Sequence, residues 1–239
     1  MNQQIDKNGR KNMTPAEKYT EERDTIKALR MNRIMEAAFK LFSEKGIDTI
    51  TMNDIAKKAE IGVASLYRYY ETKEQIAIQT SIWAWEKQKD FILPLLMEND
   101  YENHTGLEQL QKIINLFINL YETQPDFLRY IYFFDSFIVR SKIGRERLED
   151  YERTIESTKT LIAAAISKGI EDKTINQKYK DSQDVLYFTL THTIFAVAQK
   201  LSLSGNMLMM DNLVNGKQEL ELLSTLLLDA LGNNIKLGA

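Results

Sequence analysis

The chain of 239 residues contains no cysteine and only two histidines, His104 and His192. The lack of thiols excludes disulfides, thiolate metal sites and a cysteine nucleophile. Two histidines are too few to build a histidine-rich metal centre, so we expect His192 to be a core or interface residue. We predict no metal site and no cofactor.

Long apolar runs are also missing. No uninterrupted apolar stretch reaches the roughly 18 residues that indicate a membrane span. The first residues, MNQQIDKNGRKN, are polar and lack the apolar segment of a signal peptide. We therefore expect a cytoplasmic protein without a membrane partner.

Proline occurs three times and glycine ten times, so few residues interrupt helical periodicity. Apolar residues recur at helical spacing and no segment alternates as a strand would, which predicts an all-α protein of about nine helices. Thr14-Pro15-Ala16-Glu17 has the form of a helix start, and the sequence leaves open whether that helix continues into the one beginning at Ile26. A long helix opened by Thr72 is expected to end near Pro94. The later helices are expected at about 106–122, 125–141, 145–168, 182–203 and 216–231.

The charge is unevenly distributed along the chain. The net charge is −3, yet residues 26–75 carry nine basic and seven acidic side chains. A mildly basic module on an acidic body fits local contact with a polyanion. Chance scatter of solvated charges explains so small an excess about as well.

Two short helices separated by a tight turn are expected between residues 51 and 70. Thr51 caps the first helix, Glu60-Ile61-Gly62 forms the turn, and the second helix begins at Val63. Leu66 and Tyr70 are four residues apart, so they share one buried face and leave the other side chains of this helix free. The free tyrosine, arginine and lysine donors suit phosphate oxygens, and the first turn of the second helix suits base edges in the major groove.

The stretch RIMEAAFKLFSEKGIDTITMNDIAKKAEIGVASLYRYYETKEQI resembles the DNA-binding segment of TetR/AcrR-type transcriptional regulators, over about residues 31–76. The shared elements are an Ala-Ala-x-x-Leu-Phe stripe, a Gly-x-x-x-x-Thr link, Asp-Ile-Ala, and Leu-Tyr-x-Tyr-aromatic followed by Lys-Glu. The resemblance implies a helix-turn-helix domain at residues 26–75 and a helical effector-binding and dimerisation domain at residues 76–239. Residues 1–25 are then an N-terminal extension, partly disordered. Its first 13 residues are a tail or a basic arm touching DNA, and we favour the tail.

The resemblance also implies which residues contact double-stranded operator DNA. One departure is Glu60, which stands where the family usually has glycine; we expect Gly62 to take over the flexible position and Glu60 to face solvent. Val63 and Ala64 suit thymine methyl groups, which favours T-rich operator half-sites with one guanine for Arg68. The implied DNA contacts are Thr51, Asn53, Val63, Ala64, Ser65, Tyr67, Arg68, Tyr69 and Lys73.

The body is rich in aromatic residues, which line either an effector pocket or simply the core. Asp135 interrupts the run FLRYIYFFDSF; if buried it needs Arg129 or Arg140 as a partner, and otherwise it faces a groove and water. A more specific hypothesis is an aromatic or cationic effector that stacks on the rings, with Asp135 as its counter-charge. The candidate pocket residues are Trp83, Phe117, Tyr121, Tyr130, Phe134, Asp135, Phe188 and His192.

The last two helices look too apolar for the surface of a monomer. Paired with their symmetry mates they would form a four-helix interface, which makes the protein a homodimer suited to a palindromic operator. Alternatively, both helices close the monomer's own core. The candidate interface residues are Phe195, Gln199, Leu220, Leu223, Leu227 and Leu231.

By resemblance, the ligand-free dimer blocks transcription, and a small-molecule effector releases it by shifting the helix that starts at Thr72. Two other classes of protein compete with this repressor. An enzyme is disfavoured because no glycine-rich phosphate loop and no catalytic triad or metal spacing is present. A helical protein-interaction module that never binds DNA stays open.

Overall fold

The computed structural model describes residues 14–97, 100–204, 207 and 209–232. Within these ranges the chain forms nine α-helices and four short 3-10 turns, with no strand, which confirms the predicted all-α architecture. None of the helices in these ranges is both long and apolar enough to cross a membrane. The helices are α1 (Pro15–Lys45), α2 (Met52–Lys58), α3 (Val63–Tyr69), α4 (Lys73–Met97), α5 (Gly106–Thr123), α6 (Pro125–Arg140), α7 (Glu149–Glu171), α8 (Gln183–Ser204) and α9 (Gly216–Leu231).

Helix α1 is continuous from its cap at Thr14 to Lys45, so the question that the sequence left open is settled in favour of one long helix. The Thr14 hydroxyl accepts a hydrogen bond from the Glu17 N–H, and the Glu17 carboxylate accepts one from the Thr14 N–H. The boundary placed at residue 25 therefore falls inside a helix. The tail or arm expected at residues 1–13 lies outside the described part of the chain.

Helix α4 passes through Pro94 and ends at Met97, so the end predicted near Pro94 is three residues too early. A proline inside a helix removes one N–H donor and usually breaks the helix. Here Pro94 lies in the last turn of α4 and is exposed to solvent.

The N-terminal head comprises the second half of α1 with α2 and α3. Ile34, Phe42, Ile55 and Leu66 are fully buried and form its core. Gly46 ends α1 with a φ of 77°, a positive value that favours glycine. A β-carbon at Gly46 would lie 3.4 Å from the Phe133 ring of α6, so this end of the head packs tightly on the body.

The body is a bundle in which α5 lies against α7 and α9, while α8 packs against α6, α7 and α9. Gly106 at the start of α5 faces Gly169 near the end of α7, and a β-carbon at Gly106 would lie 1.9 Å from the Gly169 nitrogen. These two glycines allow the helix backbones to touch. Helices α5 and α7, with α4, also border a cavity of the body.

Head and body are joined through side chains on α1, α4 and α6. Trp83 Nε1 of α4 donates to Asn32 Oδ1 of α1 at 2.9 Å, and Lys40 of α1 pairs with Asp126 of α6 at 3.0 Å. The buried Tyr130 hydroxyl of α6 donates to the Ala77 carbonyl of α4 at 2.6 Å. These contacts connect α1 of the head to α4 and α6, and α6 to α4.

Candidate DNA-binding surface and effector cavity

The two short helices α2 and α3 meet through small and apolar side chains. Ile55, Ala56 and Ala59 are buried on the α2 side, and Leu66 is buried on the α3 side. The small alanines let the helices approach closely. Because Leu66 faces inward, the opposite side of α3 is left on the surface.

The turn between α2 and α3 differs from the expectation. Glu60 itself has a φ of 56°, whereas Gly62 has an ordinary φ of −66°, so the flexible position has not moved to the glycine. The prediction for Gly62 was wrong. A left-handed conformation costs a residue with a β-carbon about 1–2 kcal/mol. The exposed Glu60 carboxylate pairs with Arg33 at 3.1 Å, which holds the turn against α1.

The outer face of α3 presents the residues expected to read DNA. Val63, Ala64, Tyr67 and Arg68 are exposed, while Ser65 is half-buried. An Arg68 guanidinium nitrogen donates to the Ser65 hydroxyl at 2.8 Å. This contact lays the arginine along the helix surface, where its remaining donors stay free for phosphate or for a guanine edge.

Thr51 and Asn53 lie exposed at the start of α2. The Thr51 hydroxyl donates to the Asp54 carboxylate at 2.6 Å and accepts from the Asp54 N–H at 3.2 Å. The hydroxyl hydrogen bond, aided by the one from the Thr51 N–H, lowers the pKa of Asp54. Thr51 therefore caps α2 in the free protein, and Asn53 has the freer side chain of the two.

The three tyrosines of SLYRYYETKEQ divide between surface and core. Tyr67 is half exposed, Tyr69 is partly buried, and Tyr70 is buried with a pKa raised by that burial. Lys73, a predicted phosphate contact, instead donates from its ammonium group to the carbonyl oxygens of Ile47 and Asp48, at 2.9 and 3.0 Å. Lys73 thus links the start of α4 to the loop before α2.

The residues proposed for an effector pocket do not form one pocket. Trp83 lies at the joint with α1, Tyr121 packs beside Gly216 of α9, and Tyr130 and Phe134 are fully buried core residues. Phe188 and His192 are exposed on α8, with ring centres 5.5 Å apart. The sequence pattern had assigned to one pocket side chains that lie in separate parts of the body.

Asp135 is exposed rather than buried, and neither candidate arginine neutralises it. Arg129 pairs with Asp126, and Arg140 pairs with Asp48. Crowding by the surrounding helices removes part of the hydration of the carboxyl group and raises the pKa of Asp135 to about 6. Because Asp135 does not line the cavity described next, it cannot serve as counter-charge to a ligand bound there.

A cavity of about 280 Å³ lies between α4, α5 and α7, and of the predicted pocket residues only Phe117 lines it. Trp85 Nε1 and Gln88 Oε1, both from α4, are buried without a hydrogen-bond partner in the described part of the protein. Burial raises the pKa of the Tyr151 hydroxyl, and the neighbouring Trp85 indole opposes part of that rise. Trp85 Nε1 and the Tyr151 hydroxyl nevertheless do not reach hydrogen-bond geometry. The full lining is Trp85, Gln88, Lys89, Asp90, Ile92, Leu93, Ile113, Phe117, Ser157, Thr158 and Leu161.

Sequence reasoning missed Trp85 and Gln88, although a signal was present. Along α4, the buried residues Ile78, Ser81, Trp85, Gln88 and Ile92 follow one another at three- and four-residue steps. A glutamine on such a buried stripe needs partners for its amide, and an unpaired amide atom beside a cavity indicates a ligand contact. Trp83, chosen instead, lies two positions away and therefore on another face of the helix.

The proposed dimer contacts are also partly wrong. Leu220, at 1% exposure, and Leu231 are buried within the protomer and cannot reach a partner. Phe195 turns inward, with its ring centre 5.3 Å from that of Phe117 and 5.9 Å from that of Trp85. The remaining three candidates are half-buried: Gln199, Leu223 and Leu227.

A different face of the same two helices is apolar and exposed. Val185, Phe188 and His192 follow one another at three- and four-residue steps on α8, and Leu222 and Leu226 are one turn apart on α9. Helices α8 and α9 are packed against each other. Their exposed side chains, hereafter the α8–α9 face, are the better candidate for contact with a second copy.

Comparison with known proteins identifies the family. Residues 34–80, which span the second half of α1 through the first turns of α4, match the model of bacterial regulatory proteins of the tetR family. The chain is 24% identical over 159 residues to the biofilm operon icaADBC HTH-type negative transcriptional regulator IcaR of Staphylococcus aureus (strain Newman), covering 66% of this chain and 79% of IcaR. The match to IcaR of Staphylococcus epidermidis is 38% identical over 80 residues, 33% of this chain and 41% of that protein. Residues 34–80 thus match the DNA-binding region of this family, and the comparisons support a TetR-type transcriptional regulator.

Solved structures of other regulators share the fold of this chain along most of its length. The fatty acid degradation regulator FadR from Bacillus halodurans aligns with a TM-score of 0.62 and 16% identity, over 83% of this chain and 94% of FadR. FadR from Bacillus subtilis, in complex with stearoyl-CoA, aligns with a TM-score of 0.60 and 19% identity, over 83% of this chain and 98% of that one. The family and the relatives are regulators of transcription and not enzymes.

Proposed function

We propose that this TetR-type regulator is a homodimeric repressor that binds a palindromic operator and is released by a small-molecule effector. The proposal depends above all on the outer face of α3, where Val63, Ala64, Tyr67 and Arg68 are exposed above a buried Leu66. Repression is favoured because IcaR is a negative regulator. Chromosomal DNA as the target makes the cytoplasm the expected location.

On the operator, each α3 enters the major groove. Val63 and Ala64 then lie against thymine methyl groups, and Arg68 reaches a guanine or a phosphate oxygen. The Tyr67 hydroxyl binds phosphate. Lys73 supports the surface indirectly, because its ammonium group holds the loop that precedes α2.

The α8–α9 face supplies the dimer contact in this proposal. Phe188 is 46% exposed in the single chain, and Leu222 and Leu226 are more exposed still. Burial of such side chains stabilises association by about 25 cal/mol for each Å² of apolar surface removed from water. A two-fold dimer presents two copies of α3, as a palindromic operator requires.

The effector binds in the cavity between α4, α5 and α7. FadR of Bacillus subtilis, which has the same fold, was solved with stearoyl-CoA, so a scaffold of this kind accommodates an acyl ligand. Helix α4 lines the cavity through Trp85 and Gln88 and also begins at the head with Lys73. A ligand that binds better when α4 is displaced shifts the dimer toward a state in which the spacing of its two heads no longer matches the operator.

A genomic footprint of the purified protein tests the proposal and reveals the neighbouring genes. The variant Tyr67→Ala/Arg68→Ala should lose operator binding by at least tenfold and still form the dimer, because both side chains are exposed away from the core. Tyr132→Ala, which truncates an exposed tyrosine on α6, is the matched control and should bind as the wild type does.

The same variants distinguish the competing class of helical interaction module. Such a module would give no footprint and would be indifferent to Tyr67→Ala/Arg68→Ala. The salt dependence adds detail: if Arg68 contacts phosphate, its removal lowers the slope of log affinity against log salt by about one. If Arg68 reads guanine, the loss is instead confined to sites that carry that base.

A further inference from the structure

We propose that the cavity between α4, α5 and α7 takes an uncharged amphiphile: a group that both accepts and donates a hydrogen bond, attached to an apolar chain of medium length. A fatty amide is the simplest member of this class. The inference rests on the proposed function in one respect, since it gives the chemistry of the effector that the cavity would hold.

The buried polar atoms define the head group. Trp85 is 7% exposed and Gln88 is 4% exposed, and both line the cavity. In the orientation in which Gln88 Nε2 donates to Gln124 Oε1 at 2.6 Å, the residues that the structure describes offer no donor to Gln88 Oε1 and no acceptor to Trp85 Nε1. A ligand group that accepts from the indole and donates to the amide oxygen satisfies both atoms. An amide or a hydroxyl does this, whereas a carboxylate has no hydrogen to donate.

The charges of the lining disfavour an ion at this depth. Among the described residues, Lys89 and Asp90 are the only charged ones that line the cavity, and their opposite signs cancel. Both are at least partly exposed, whereas Trp85 and Gln88 are buried. An ionised group beside the two buried atoms would therefore lack a counter-charge, which burial makes costly.

The other lining residues of the cavity define the apolar chain of the ligand. Ile92, Leu93, Ile113, Phe117 and Leu161 give the cavity a largely apolar surface. Ile113 and Phe117 also border a second, narrow cavity of about 20 Å³ between α5, α7 and α8. Within the described ranges its only polar lining residue is Thr191, whose hydroxyl already donates to the Tyr187 carbonyl at 2.9 Å. A chain entering past Phe117 meets no polar atom that it would leave unpaired.

Volume limits the length of the ligand. At about 30 Å³ for each water-sized group, 280 Å³ holds about nine such groups. The narrow extension adds space for about one terminal methyl group. The two spaces together hold about ten non-hydrogen atoms, slightly fewer than the twelve of decanamide, so decanamide is the longest suitable probe of a cavity that the exposed Asp90 borders.

Titration calorimetry of the full-length protein at pH 7.5, without DNA, tests the class of ligand. Decanamide should bind at least tenfold more tightly than decanoate or decyltrimethylammonium. Along the series of shorter amides, affinity should fall about fourfold for each methylene removed, which corresponds to 0.8 kcal/mol for each CH₂. Tighter binding of decanoate or of the ammonium probe, or no binding of any probe, overturns the proposal.

Two variants locate the binding. Trp85→Phe removes the N–H and keeps the ring, and should weaken decanamide at least tenfold; Trp83→Phe, whose N–H serves Asn32, is the matched control and should not. Ile113→Trp fills the passage to the narrow cavity and should weaken decanamide while sparing butanamide. Because the proposal assigns the Trp85 N–H to the ligand, unchanged decanamide affinity in Trp85→Phe also overturns it.

Operator release is measured separately, so that the two proposals fail in different ways. If decanamide binds through Trp85 and Gln88 but leaves operator affinity unchanged, the chemistry of the cavity stands and its effector role fails. If operator binding is released by a charged ligand that none of these variants affects, the effector role stands and the present inference fails.

Discussion

The ammonium group of Lys73 lies 2.9 Å from the carbonyl oxygen of Ile47, so the first residue of α4 is tied to the loop between α1 and α2. The same ammonium group reaches the Asp48 carbonyl at 3.0 Å. Arg140, at the end of α6, pairs with the side chain of Asp48. One loop of the head is thereby held by the two body helices through which an effector signal would pass.

Lys73→Met should destabilise the protein, because it keeps most of the apolar stem but leaves two carbonyl groups without their charged donor. Hydrogen bonds to charged groups contribute about 1.5–3 kcal/mol, and partial solvent access reduces this to about 1–2 kcal/mol. Urea denaturation measures the change. Lys57→Met, at an exposed site on α2, is the control; equal midpoints for the two variants would show that the Lys73 contacts contribute nothing.

Glu60→Gly should stabilise the turn of the helix-turn-helix. The substitution removes the cost of a left-handed conformation, about 1–2 kcal/mol, and loses only an exposed ion pair worth about 0–1 kcal/mol. Glu60→Ala is the matched control, because it loses the same ion pair without relieving the backbone. The unfolding free energy should be about 1 kcal/mol higher for the glycine variant than for the alanine variant, and the opposite order would contradict the assigned backbone conformation.

Asp135→Asn should give a pH-dependent gain in stability. With a pKa raised to about 6, against about 3.9 in the unfolded chain, the folded protein holds its proton more tightly, so wild-type stability falls as the pH rises from 4 to 6. The variant should match the wild type at pH 4 and exceed it above pH 6. Thermal unfolding across this range measures the effect.

Asp54→Asn is the control, because its effect on stability should depend on pH in the opposite direction. Hydrogen bonds from Thr51 lower the pKa of Asp54, so its contribution to stability is present at neutral pH and is lost as the solution becomes acidic. The gap between wild type and this variant should therefore close at low pH. If the wild type is also more stable than Asp135→Asn at pH 7, the raised pKa of Asp135 is refuted.

Phe188→Glu should convert the dimer to a monomer, because it places a charge in the middle of the α8–α9 face. Val139→Glu changes a still more exposed apolar residue at the end of α6 and should leave the dimer intact. Light scattering across a concentration series distinguishes the two. An unchanged mass for Phe188→Glu would mean that the partner binds elsewhere.

The elements that the sequence predicted well depend on neighbours along the chain. The Thr51 cap and the burial of Leu66 and Tyr70 follow from spacing within one or two helical turns. Predictions that depended on how the helices pack against one another succeeded less often. Helical periodicity shows which residues share a face, but it does not show whether the facing surface is core, cavity or solvent.

Leu220 and Phe188 illustrate this limit. Both are large and apolar on helices expected at an interface, yet Leu220 is buried in the protomer and Phe188 is on its surface. The pairing of α8 with α6, α7 and α9 decides which side remains exposed, and that pairing is set by contacts between distant parts of the chain. Glu60 shows the converse case, in which a tertiary contact with Arg33 holds a conformation that local preference disfavours.

Selection of binding sites from random duplex DNA tests the central claim most directly. We predict that the purified protein enriches a palindrome of two half-sites, with thymines opposite Val63 and Ala64. Tyr67→Ala/Arg68→Ala should fail to enrich it, whereas Tyr132→Ala should enrich it as the wild type does. Recovery of no common sequence, or of half-sites with G/C at all central positions, would contradict the account.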